Sequence, residues 1–187
     1  MHRLDKETSG VLVVAKNDFA HEHLTQQFKD RTTHRIYYAV VFGKPKTPLG
    51  RITSHLARHP THRKKYASIP NATEDQGKWA ATNYEVLKSS RGLSLVRLKL
   101  ETGRTHQIRV HLSEQGCPIV GDELYGADRK IKSLESKSVQ SQVKDLRRFL
   151  LHAAELGFTH PRRHEWMEFS TDWPLEDKML LNDWGLV

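Results

Sequence analysis

A single cysteine, Cys117, leaves no partner for an internal disulfide, so burial and hydrogen bonding must hold the fold, as expected in a reducing cytoplasm. Long apolar runs are missing too. The longest, residues 10–15 (GVLVVA) and 39–42 (AVVF), are strand-sized, well short of the roughly 20 residues that cross a bilayer. No cationic start leads into an apolar stretch with a cleavage site, so the expectation is a cytoplasmic chain without a secretion signal or membrane segment. Metal-ligand spacing is likewise poor. No carboxylate or cysteine stands near His55, His59 and His62 at ligand spacing, and His106 and His111 are five apart; no metal is expected.

What the sequence does have is positive charge. Thirty Lys and Arg against 22 Asp and Glu give a net +8, with 12 histidines besides. That is the electrostatic footprint of a nucleic-acid binder, although charge alone fits a basic domain with no particular partner equally well.

Periodicity outlines the elements. Residues 10–15 read as a buried strand rich in β-branched side chains. Asn17 or Asp18 can cap a helix to about Asp30, with Phe19, Leu24 and Phe28 on its inner side. Residues 35–42 (RIYYAVVF) form a second strand, and 78–88 with 93–101 a hairpin in which Val96, Leu98 and Leu100 face inward while Arg97, Lys99 and Glu101 face out. A Thr-Gly-Arg-Thr turn leads into a helix from His106 to about Gln115, closed by Gly116 and Pro118. A surface helix is expected within 129–147, and two last strands near 152–158 and 166–169. Strands outnumber helices and the connections are short, which predicts an α+β fold with a mostly antiparallel, mixed sheet and flanking helices, in one domain over residues 1–187.

Four constellations could carry chemistry. Asp5 sits in a loop (HRLDKETSG) just before an apolar stretch, held by scaffold yet open to a ligand; taken alone, it reads first as a charged, solvated turn. In ETGRTHQIRVHL (101–112), a glycine turn and a helix N-terminus suit an anion, and His106 and Arg109, three apart, share one face. The run 51–65 (RITSHLARHPTHRKK) reads as a basic loop suited to a phosphate backbone, or as a plain solvated surface. Tyr37 and Tyr38 alternate across a strand, so one packs in the core, and the other either packs as well, as strand tyrosines more often do, or stacks on a base.

Together and in this order, these segments resemble the RluA-type RNA pseudouridine synthases. HRLDKETSGVLVVAK is similar to the family's aspartate motif, ETGRTHQIRVHL followed by GCPIVGDELYG to its later motif, and RIYYAVVFG to its tyrosine segment. LLHAAELGFTHP and, more weakly, DWPLED are similar to its C-terminal strands. The likeness runs from His2 to about Asp177, and RITSHLARHPTHRKK further resembles the RluD-like branch that modifies large-subunit ribosomal RNA.

The resemblance implies an isomerase that flips a uridine out of structured RNA, detaches the base, rotates it and rejoins it through C5, with no cofactor or metal. It implies Asp5 as the catalytic carboxylate, Tyr37 as the ring packing against the base and Arg109 as the partner of Asp5. Arg3, Arg104, His106, Gln107, Arg58, Arg63 and Lys64 are the expected RNA contacts, ribosomal RNA rather than tRNA. Asp5 could attack C1′, attack the base, or abstract the 2′ proton. Members usually carry a further strand before the aspartate motif, and many an RNA-binding domain. Here the motif follows Met1 directly, so the chain reads as a catalytic domain lacking both, or alternatively as a non-catalytic RNA-binding remnant.

Overall fold

Strand β2 (His34–Phe42) is the axis of the structure. Its run of β-branched and aromatic residues suits burial on both faces, and only His34 and Tyr38 retain partial exposure. The computed structural model describes residues 2–73 and 76–187. Around β2 they form an eight-stranded sheet of β1 (Ser9–Gly10), β3 (Leu49–Arg58), β4 (Tyr66–Ser68), β5 (Lys78–Ser90), β6 (Leu93–Leu100), β7 (Leu151–Thr159) and β8 (Trp166–Ser170). The order is β1-β7-β2-β6-β5-β3-β4, with β8 also paired to β7. The β1–β7 pair is parallel and the others antiparallel. Helices α1 (Asp18–Asp30), α2 (Gln107–Glu114), α3 (Lys137–Lys144) and α4 (Leu175–Asp183) complete the α+β fold expected from the sequence. No helix among the described residues is long and apolar enough to cross a membrane.

The sheet separates two cores. On one face Tyr37, Ala39 and Val41 meet Val96, Leu98 and Leu100 of β6 and Ile108 and Leu112 of α2. On the other, Val40, Phe42, Leu93 and Leu95 meet Val139 and Val143 of α3 and Leu181 and Trp184 at the end of α4. Strand β6 is therefore buried on both faces at its start and only half-buried where Arg97 and Lys99 alternate outward. A β-bulge shifts the β2–β7 register between Ile36 and Tyr37, where Ala154 has no opposite number. Bulges re-aim side chains; here both Arg35 and Tyr37 are left lining the cavity described below.

Several expectations need correction. The 10–15 segment is not a buried strand: only Ser9–Gly10 pair with β7, and Leu12 and Val14 are exposed. Strand β8 takes the edge of β7 from Glu155 to Thr159, so this chain leaves the sheet after Val11 and packs only Val11, Val13 and Ala15 beneath α1. Phe19 is exposed, while Leu24 is buried and Phe28 partly so. The basic run is not one loop: its first part is β3, paired with β5 up to Leu56 and with β4 from Leu56 to Arg58, and only 59–65 form the turn into β4. The expected surface helix is α3, anchored by two buried valines. DWPLED is no strand but the entry to α4, a helix with apolar residues spread around it, Leu175 and Met179 exposed and Leu181 buried; without a face, it gave no periodic signal.

Candidate active site

The loop that carries Asp5 is fastened at several points. The Thr8 N–H donates to the Asp5 carbonyl at 3.0 Å, closing a tight turn. The Ser9 hydroxyl donates to His152 Nδ1 at 2.9 Å, because His152 Nε2 is committed as donor to the Thr171 carbonyl at 3.1 Å. Gly10 has φ +116°, and a Cβ there would overlap the Ala153 carbonyl group; only glycine allows this approach to β7. Leu4 packs against the core cluster of Tyr37 and Leu151.

Opposite, α2 presents Arg109, and the turn ahead of it is set by Gln107. The Gln107 carbonyl oxygen accepts from the Thr102 hydroxyl at 2.7 Å and the Arg104 N–H at 3.0 Å, while its amide donates to the Ala81 carbonyl and the Thr82 hydroxyl at 3.0 and 2.9 Å. Thr82 in turn bonds the fully buried His111, whose pKa burial pushes down to about 4. With every polar group of its side chain engaged, Gln107 positions the turn. Gln107 also lines the cavity described below.

Arg109 donates through Nε and Nη2 to the two oxygens of Asp122 at 2.7 and 2.9 Å, and through Nη1 to Asp5 Oδ2 at 3.1 Å. Its guanidinium lies between the rings of Tyr125 and Phe149, at 4.9 and 4.5 Å. Burial alone would lower its pKa; the hydrogen bonds and charge of Asp122, then those of Asp5, outweigh that and hold it above the ordinary value. Bidentate pairing and ring stacking fix a guanidinium in both position and plane. Arg109 is thus a rigid donor aimed at Asp5.

His106 completes the wall. It caps α2 in the left-handed region (φ 56°), a strained conformation for a non-glycine residue. Tyr125 Oη accepts from the Tyr66 N–H at 2.9 Å and is hydrogen-bonded to His106 Nδ1 at 2.8 Å, while His106 Nε2 lies 3.9 Å from Asp5 Oδ2. Burial lowers the His106 pKa, Asp5 opposing and Arg109 reinforcing. Tyr37 closes the floor, buried, with its hydroxyl pushed up to about 12 chiefly by burial, so it is neutral across the physiological range.

These groups line one cavity of about 440 Å³ that contains Arg3, Asp5, Tyr37, Arg104, His106 and Arg109. Arg104 donates to the Trp79 carbonyl at 2.9 Å and also borders a neighbouring cavity of about 460 Å³ lined by Arg58, Tyr66 and Lys78. Arg63 and Lys64 line neither cavity; they stand exposed on the β3–β4 turn. Arg51 is paired to Glu101 at 2.7 and 2.8 Å rather than free for phosphate. His34, Glu155 and Glu168 place possible ligand atoms within 4.8 Å of one another, but on the alternate face of β2 from Arg35 and Tyr37.

Sequence reading missed Asp122, Tyr125 and Phe149. The first two stand in GDELYG, where a carboxylate and a tyrosine three residues on, between two glycines, were a visible signal. It also missed Arg35, although Arg35 and Tyr37 are two apart on a strand and so share a face.

Residues 1–114 match the family profile described as RNA pseudouridylate synthase. A chain of Aquifex aeolicus (strain VF5), named an uncharacterized RNA pseudouridine synthase, is 41% identical over 176 residues, 93% of this chain and 52% of that one. Ribosomal large subunit pseudouridine synthase D of Zymomonas mobilis subsp. mobilis is 40% identical over 182 residues, 96% of this chain and 54% of that one. The solved structure of human RNA pseudouridylate synthase domain containing 1 aligns with a TM-score of 0.73 at 31% identity, covering 92% of this chain and 68% of that one. Its human counterpart, domain containing 4, aligns with a TM-score of 0.76 at 27% identity, covering 100% and 75%. The chain spans about half the length of the curated relatives it matches. Profile, sequence identity and fold agree: the chain belongs to the RluA-type RNA pseudouridine synthases, an isomerase family.

Proposed function

We propose that this chain isomerises uridine to pseudouridine in structured RNA, with large-subunit ribosomal RNA as the substrate class. One observation carries the reading: the Asp5 carboxylate meets the Arg109 guanidinium at 3.1 Å, beside Tyr37, in a cavity rimmed by Arg3 and Arg104. The reaction breaks N1–C1′ and forms C5–C1′; N1 gains a proton and C5 loses one, so no electron donor or acceptor is needed. A positioned carboxylate serves it either as nucleophile or as base. Arg109 sets the orientation of that carboxylate, and both its contact and that of His106 fall on Oδ2. A neutral Tyr37 offers the base a flat apolar surface.

Extruding the uridine costs a few kcal/mol of lost stacking and pairing. Arg3, Arg104 and the exposed Arg58, Arg63 and Lys64 offset it through phosphate contacts. The names of relatives such as the Zymomonas synthase support ribosomal RNA as the target. The test is to incubate the protein with unmodified ribosomal RNA and map pseudouridine by chemical adduct and primer extension, beside Asp5→Ala. The reading expects defined sites with the wild-type chain and none with the variant. Binding without any modification would support a non-catalytic RNA-binding module instead.

A further inference from the structure

The cavity continues past Asp5 and Tyr37 to a second end against α1, lined by His2, Thr25, Phe28, Lys29, Arg35 and Arg104. Among the described residues, four buried side-chain polar atoms have no hydrogen-bond partner, and three of them, His2 Nε2, Thr25 Oγ1 and Arg35 Nε, belong to this end. Arg35 is 6% exposed. No carboxylate among the described residues lies within ion-pair distance of it, whereas Arg109, as deeply buried, has two.

A buried cation without a counter-charge is costly, and such a group calls for an anion from outside the chain. The surroundings keep Arg35 aimed rather than neutralised. Its guanidinium lies 5.6 Å over the Phe28 ring, and Phe28 stacks on His2 at 4.8 Å. Gly103 covers it: a Cβ there would come within 2.7 Å of Nη1, so a side chain at 103 would displace the guanidinium. Burial first, then the charge of Arg35, holds His2 down at about 4, so its imidazole is a neutral donor or acceptor. Burial also lowers Arg35 itself, Tyr37 opposing and Arg104 adding to that; a bound anion would act against this lowering.

We propose that this end of the cavity is an anion subsite that takes one phosphodiester of the RNA beside the flipped nucleotide, with Arg35 as its buried cation and Thr25 and His2 as further hydrogen-bonding groups. The proposal rests on the pseudouridine synthase reading for the identity of the ligand, but not for the existence of the anion site. A cavity of about 440 Å³ has room for a nucleoside at the Asp5 end and a neighbouring phosphate at the α1 end. A phosphate held there fixes the register of the ribose over Asp5.

Two measurements test it. Inorganic phosphate, titrated at constant ionic strength, should raise the melting temperature of the wild-type chain and leave Arg35→Gln unmoved; equal stabilisation of both removes the site. Next, affinity for a ribosomal stem-loop is measured in the Asp5→Ala background, with single uncharged methylphosphonates placed along the strand, so that binding is read apart from catalysis. One linkage should cost about tenfold in affinity, Arg35→Gln should cost about the same on unmodified RNA, and the two losses together should not exceed either alone. Thr25→Val, which removes an unpaired hydroxyl and keeps the fold, should cost about threefold and show the same non-additivity. Losses that add at every linkage, for both variants, overturn the RNA phosphodiester assignment even if free phosphate binds. Asp5→Ala that keeps this coupling while wild type forms no pseudouridine overturns the catalytic reading alone.

Discussion

Asp122 takes both Nε and Nη2 of Arg109 in a buried bidentate pair, at 2.7 and 2.9 Å, and so leaves only Nη1 to reach Asp5. The geometry of the Asp5 carboxylate is therefore set in part by a residue that does not itself line the cavity. Asp122→Ala strands a guanidinium between Tyr125 and Phe149, and breaking a buried pair this way costs about 3–5 kcal/mol. The expected outcome in urea denaturation is a loss of that order. Single-turnover pseudouridine formation should fall about a hundredfold at temperatures where the variant stays folded.

Gly10 is the hinge on which the Asp5 loop is hung. Gly10→Ala places a Cβ into the Ala153 carbonyl at a φ of +116°. A substitution at a conformation the new residue cannot adopt costs more than about 1 kcal/mol, and here the clash adds to it. The variant should melt below wild type and lose activity more than RNA affinity, since the loop moves while the basic surface stays. Equal stability and activity in Gly10→Ala would show that the loop is not anchored there.

Part of the acid stability depends on a buried histidine outside the cavity. His111 is buried and neutral, bonded to Ser54 and Thr82 at 3.0 Å each, with a pKa lowered from 6.5 to about 4 by burial. The unfolded chain protonates first as pH falls. The stability held above about pH 6.5 is therefore lost progressively down to about pH 4, by an amount on the order of 3 kcal/mol. Melting curves across this window should fall for wild type and fall less for His111→Gln.

Much of this was legible in the sequence. The strand at Arg35–Phe42 and the turn and helix after Thr102 followed from period and turn chemistry, and Asp5 from its place in a motif; His106 comes beside Arg109 as the left-handed cap of α2 rather than as a helical neighbour. What escaped was set by distant packing. Residues 10–15 have a strand's composition, but β8 occupies the sheet edge they would need. The part Gln107 plays in setting the turn was not legible, because its amide reaches Ala81 and Thr82 of β5, which lie next to it only through the fold. Arg35 looked like an ordinary strand residue until the fold buried it without a partner.

The exposed basic turn should act through charge alone. Arg63 and Lys64 stand away from both cavities. The Arg63→Ala, Lys64→Ala double variant should weaken RNA binding uniformly across sequences. It should also lower the slope of log affinity against log salt by about 1–2, measured by fluorescence anisotropy. An unchanged slope would remove these two residues from the RNA interface.

The central claim is that Asp5 performs the isomerisation, and loss of the C5 hydrogen reports that step directly. With unmodified ribosomal RNA carrying tritium at uridine C5, wild type should release tritium to water up to the number of sites mapped as pseudouridine. Asp5→Ala, folded and still binding the RNA, should release none. Release that persists in Asp5→Ala would contradict the account.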